Sequence, residues 1–193
     1  MRSRLLLAAA MLVAMAAPAF AHLNPAEHGS FMAGVSHPLF GLDHILAMVA
    51  VGLWASQIGG RALVAVPAAF VGTMALGFAL AIAGLSLPFV EPAILASVVA
   101  LGLLVAMAVR LDTVVSAAVV AVFALFHGYA HGGELGTAGA LSFGIGFVLS
   151  TALLHAAGVG LGLVVGRLSG GAMLSRLLGG LTALAGLSLV FGA

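Results

Sequence analysis

Residues 126–134 read Phe-His-Gly-Tyr-Ala-His-Gly-Gly-Glu. On a helix His127, His131 and Glu134 stand at i, i+4 and i+7, so the three side chains leave one face. Two imidazoles and a carboxylate suit a borderline divalent ion such as Ni²⁺, Co²⁺ or Zn²⁺. A second group lies far upstream, in His37-Pro38-Leu39-Phe40-Gly41-Leu42-Asp43-His44. If that stretch runs on as one helix, His37 and His44 share a face and Asp43 stands about 100° round from His44. An acid inside an apolar span is costly toward lipid, so Asp43 must face protein and have a partner. It either ligates a metal or fixes the tautomer of the neighbouring imidazole.

Four weaker candidates accompany these six. Met48, one turn below His44, offers a soft thioether, although Met on a span is more often packing. His155 stands alone in Leu153-Leu154-His155-Ala156-Ala157-Gly158, as a packing group or as a deeper station. His22 and His28 lie in a polar stretch and count only as secondary metal candidates. Trp54 and Tyr129 read as packing or interface anchors.

The elements that must position these groups are set by composition. The chain of 193 residues carries 6 basic and 5 acidic residues and is 64% hydrophobic. Its mean hydropathy is +1.33. So few charges cannot cover the surface of a water-soluble domain of this length. The apolar runs are continuous rather than alternating, which selects helices over barrel strands. The expected fold class is therefore an all-α integral membrane protein. The 27 glycines permit the close helix approach that lipid-embedded bundles use. A net charge of +1 gives no basis for a nucleic-acid partner. With no cysteine, thiolate metal sites and Cys nucleophiles are excluded.

Arg2 and Arg4, an apolar core over Leu5–Ala16 and Ala19-Phe20-Ala21 make residues 1–21 a signal peptide. Cleavage after Ala21 would make His22 the mature N terminus. Residues 22–193 then form a single transmembrane domain with no convincing internal repeat. A polar lead-in reaches Ser36, and the first span opens near Pro38, which suits a first helical turn. Five more spans follow over Ala62–Leu85, Pro92–Val109, Thr113–Gly133, Ala138–Gly166 and Ala172–Phe191, giving a six-span helical bundle. With the N terminus outside, Arg61, Arg110, Arg167 and Arg176 all fall in cytoplasmic connections, as the positive-inside rule requires. Both mature termini then lie on the periplasmic side. The start of span one and the end of span four meet at the same outer depth, so the two ligand groups are expected to form one site.

The two motifs resemble those of the HupE/UreJ family of nickel/cobalt permeases. The likeness rests on His37-Pro38-x-x-Gly41-x-Asp43-His44 and Phe126-His127-Gly128-x-Ala130-His131-Gly132-x-Glu134, and it extends over essentially the whole chain. It implies uptake of Ni²⁺ or Co²⁺ across a bacterial inner membrane, supplying metalloenzymes such as hydrogenase or urease. It also implies that His37, Asp43, His44, His127, His131 and Glu134 are the transport residues.

The residues by themselves reach a membrane protein with an outward-facing His/carboxylate metal site. A permease would move the ion through weak staged sites, because tight binding blocks release. No nucleotide-binding motif is present, so transport would be downhill or ion-coupled. An intramembrane zinc-dependent hydrolase would need the same metal, but the sequence contains no His-Glu-x-x-His. A bis-His haem carrier fits poorly with carboxylates among the imidazoles. No prosthetic group is expected, only the transported ion, with Zn²⁺ fitting the same donors. The bilayer is the expected partner, and a homo-oligomer is compatible with the sequence.

Overall fold

The computed structural model describes residues 31–135 and 139–192, with the side chains of residues 134 and 135 outside that set. The described part is all helical. It comprises α1 (Phe31–Phe40), α2 (Leu42–Ile58), α3 (Ala62–Ile82), α4 (Val90–Ala106), α5 (Thr113–Leu135), α6 (Ala140–Gly166) and α7 (Gly171–Val190). Among the described residues α3, α6, α7 and the Thr113–Gly133 part of α5 are 4 helices long and apolar enough to cross a membrane. The pair α1–α2 adds a fifth if taken as one broken span, and α4 is a shorter apolar helix of 17 residues. The expected signal peptide and the candidates His22 and His28 lie outside the described residues.

α2 is the centre of the bundle. Ala47, Met48, Val51, Trp54 and Ala55 are all fully buried, because α2 packs against α3, α4, α6 and α7 at once. The outer helices bury one stripe and turn large apolar residues outward, with Val64 at 73% and Leu141 at 79% exposure. Apolar surface on that scale is stable only against lipid.

Between helices already surrounded by hydrocarbon, close backbone approach supplies the packing. The most extensive contact joins α3 to α5, where a methyl placed on Gly128 would overlap the Met74 carbonyl and one on Gly77 the Leu125 carbonyl.

Polar side chains tie one end of the bundle together. The indole Nε1–H of Trp54 donates to the Val109 carbonyl at 2.7 Å, and Gln57 Nε2 donates to the Val105 carbonyl at 3.0 Å and to Ser175 Oγ at 2.9 Å. Arg176 Nε–H donates to the Ala106 carbonyl at 2.8 Å. Carbonyls at and just beyond the C-terminal end of α4, where helical donors run out, thereby gain side-chain donors. The ends of α2 and α4 and the start of α7 therefore lie together, away from the starts of α2 and α4.

The first expected span differs from the observed one. Phe31–Ser36, expected to belong to a polar lead-in, are helical, and Pro38 is the eighth of the 10 residues of α1 rather than part of a first turn. α1 and α2 then meet at a 78° bend. Gly34, in the apolar run Phe31-Met32-Ala33-Gly34-Val35, lets this helix lie directly against the Phe143 backbone of α6. The break falls at Gly41, whose φ of −80° and ψ of 114° are extended.

Gly128→Ala should therefore lower the thermal unfolding midpoint in detergent, consistent with an overpacking cost of about 1–3 kcal/mol. Gly72→Ala, on the same α3 but with open space around the added methyl, should leave it near the wild-type value. Equal midpoints for the two variants would contradict the tight α3–α5 contact.

Candidate metal centre

Three helices bring one imidazole each to a common point. His37 comes from the last turn of α1, His44 from the first turn of α2 and His131 from the C-terminal part of α5. One nitrogen from each ring lies within 4.8 Å of the others. His44 and His131 are buried, at 4% and 5% exposure, and His37 is half-buried. The His37 ring is 4.3 Å from that of His131 and 5.3 Å from that of His44, centroid to centroid. The bend at Gly41 makes this possible, because it turns His37 back toward the axis that carries His44.

Asp43 sets the chemistry of the group. Its Oδ1 lies 2.8 Å from His44 Nδ1. An ionised carboxylate can only accept, so His44 Nδ1–H is the donor, and a neutral ring then carries its lone pair on Nε2. That Nε2 lies 2.6 Å from His131 Nε2. Without a cation His131 can donate across this gap. With one, both lone pairs turn to the ion. Metal–imidazole bonds of about 2.0–2.1 Å place two such nitrogens roughly 3 Å apart, so a few tenths of an ångström of opening is enough. A carboxylate behind a ligating imidazole raises its basicity and holds its orientation.

The group opens on a cavity of about 550 Å³ lined by His37, Asp43, His44, Glu91, Tyr129 and His131 among others. Glu91, exposed at the start of α4, is a functional candidate that motif spacing missed. The signal that could have found it is parity: alternate spans start on the same side, which puts Glu91 at the depth of Asp43. Tyr129 closes one wall and donates its hydroxyl to the Leu85 carbonyl at 2.6 Å.

His127 lies one helical turn deeper than His131 and has no exposure. Its Nδ1–H donates to the Phe123 carbonyl at 3.0 Å, and its Nε2 has no hydrogen-bond partner among the described residues. Its ring is 5.6 Å from that of His44, and it is not one of the three grouped imidazoles. Met48 is fully buried among core residues. His155 lies further away, against Phe70. The Glu134 side chain falls outside the described residues.

The fold and the site together define a multi-pass helical membrane protein with an imidazole cluster of metal-binding type. The family model described as HupE / UreJ protein matches residues 9–189. Protein HupE of Rhizobium leguminosarum bv. viciae is 49% identical over 184 residues, covering 94% of this chain and 95% of that one. The chain belongs to the HupE/UreJ family. No solved structure matches it.

Asp43→Asn keeps the size of the side chain but loses the charge behind His44. The expected result is Ni²⁺ affinity lower by about 10–100-fold, with helix content by circular dichroism unchanged. Wild-type affinity in this variant would show that Asp43 does not tune the imidazole.

Proposed function

We propose that this protein is a secondary permease for Ni²⁺ or Co²⁺, taking the ion from the periplasmic side of a bacterial inner membrane. The observation that carries the reading is the convergence of three imidazoles, from three separate helices, at the head of one cavity in a membrane bundle. Family membership supports it, and so does the HupE relative. The transported metal would serve maturation of enzymes such as hydrogenase or urease. Zn²⁺ fits the same donors.

In this reading Glu91 and Glu134 attract the hydrated ion to the mouth. His37, His44 and His131 replace part of its water shell, and Asp43 keeps His44 in the ligating tautomer. His127, with its Nε2 unpartnered, receives the ion next. Three neutral nitrogens hold a divalent ion moderately, which suits passage better than storage. Six spans follow a cleaved leader, with both mature termini outside, and the bent pair α1–α2 serves as the first span. The positions of Arg61, Arg110, Arg167 and Arg176 support that orientation. No specific observation favours the intramembrane hydrolase.

The test is uptake by proteoliposomes that enclose a fluorescent metal sensor, with protein whose intact mass begins at His22. Ni²⁺ or Co²⁺ should enter at neutral pH. Ligation needs neutral imidazole, and protons compete for the same lone pairs. Uptake should therefore fall as the external pH drops below about 6.5, the ordinary histidine range. No uptake of either metal, or uptake unchanged down to about pH 5, would contradict the proposal.

A further inference from the structure

The glycine contacts divide the helices into tightly fitted groups. A methyl on Gly77 or Gly128 would strike backbone across the α3–α5 contact, and one on Gly132 would strike the Phe78 carbonyl. Gly102 and Gly179 fit α4 to α7 in the same way. Gly34 and Gly146 fit α1 to α6, and Gly52 and Gly158 fit α2 to α6. Backbone against backbone leaves no side chain to turn aside, so each group moves as one piece.

The fit between α3 and α6 is of another kind. Gly144 of α6 faces the ring of Phe78, and Phe78 stacks on Phe143 with ring planes 9° apart. Phe70 of α3 lies against His155 of α6, with 4.8 Å between ring centroids. Two cavities, of about 300 and 510 Å³, lie along this seam and are lined by these two helices. The cavity of the metal group has α5 on one side and α1 and α2 on the other. Ring faces and loosely packed side chains can slide by small steps where interlocked backbones cannot.

Hydrogen bonds repeat the division. Trp54 and Gln57 tie α2 to carbonyls at and beyond the end of α4, and Gln57 also reaches Ser175 of α7. Tyr129 of α5 donates to Leu85, just past the end of α3, and so stays within its own pair. α2 reaches α5 through His44 and His131, inside the metal group.

We propose that the α3–α5 pair moves as a rigid body against α1, α2, α4, α6 and α7, and that the bound divalent ion is the clamp across the seam. A ligand shifts a conformational equilibrium only if it binds the two arrangements differently. This ion does so, because His131 comes from the moving pair while His37 and His44 come from the helices it moves against. Closure on the ion at the outer end opens the α3–α6 seam toward the start of α3, where the larger of the two cavities lies. Rocking of one helix group against another around a fixed site gives alternating access in helical transporters. That use of the motion rests on the transport reading, whereas the rigid pair and its clamp do not.

The chain has no cysteine, so pairs can be introduced and spin-labelled without background. Val122→Cys with Leu153→Cys spans the seam from α5 to α6, and Val64→Cys with Val122→Cys stays within the α3–α5 pair. All three positions are exposed, so the labels disturb no packing. Pulsed electron resonance on the full chain in lipid nanodiscs reads both distances, with and without Zn²⁺, which is diamagnetic. The seam distance should shift by roughly 2 Å or more when Zn²⁺ binds, the size of a helix shift. The distance within the pair should stay where it is. His131→Ala cuts the clamp and should cancel the shift. No shift across the seam, equal shifts in both pairs, or a shift that survives His131→Ala would overturn the moving pair. A reducible thiol staple between Ala68→Cys and Ala156→Cys, which line the larger seam cavity, should stop Ni²⁺ uptake until reductant is added. Uptake unchanged by the staple would overturn the rocking. A seam that shifts in an unstapled protein that moves no ion would defeat the transport reading and leave the clamp standing.

Discussion

A carboxylate inside an apolar bundle has to be paired, and here the pairing is the 2.8 Å contact between Asp43 and His44. The need for that partner fixes more than one side chain. With Nδ1–H turned to Asp43, the His44 lone pair faces His131 on another helix, and the two chain segments become one site. Asp43 is adjacent to its partner in sequence but keeps one edge on the cavity. Its carboxylate therefore borders the cavity while holding the imidazole. Removing either member leaves an uncompensated polar group in a low-dielectric setting, which ordinarily costs more than the pair itself contributes.

The bend at Gly41 is the second constraint. A straight helix would place His37 and His44 two turns apart, about 10 Å along the axis. The 78° bend brings their ring centroids to 5.3 Å instead. Gly34 on α1 and Gly146 on α6 allow the short arm to lie against α6, each with the other helix's backbone where a methyl would go. The cluster thus depends on small residues remote from the metal-type ligands. Substitutions there would alter the site without touching a donor.

Much of this was legible in the residue pattern. Continuous apolar runs fix the helical bundle, and the i, i+4 spacing of His127 and His131 fixes a shared face. Chain parity brings the start of α2 and the end of α5 to one end, and the shared cavity lining confirms that meeting. The bend was not legible, because one extended residue between two helical segments leaves the apolar pattern intact. The division of labour was hidden for a related reason. Spacing shows which residues share a face but not how far each ring reaches. His127 shares a face with His131 and stands a turn deeper by spacing alone, but its place outside the grouped ligands shows only in the packing. Glu91 was visible as an acid at the start of a short span, but it belongs to no motif.

In the proposed permease, imidazoles from α1, α2 and α5 hold the same ion. X-ray absorption at the nickel edge of the Ni²⁺-loaded protein reads this directly, because imidazole rings give a distinctive outer-shell scattering. The most tightly bound nickel should show three imidazoles in wild type, and two in His131→Ala with the remainder filled by water. A nickel shell of oxygen alone, or an imidazole count unchanged by His131→Ala, would contradict it.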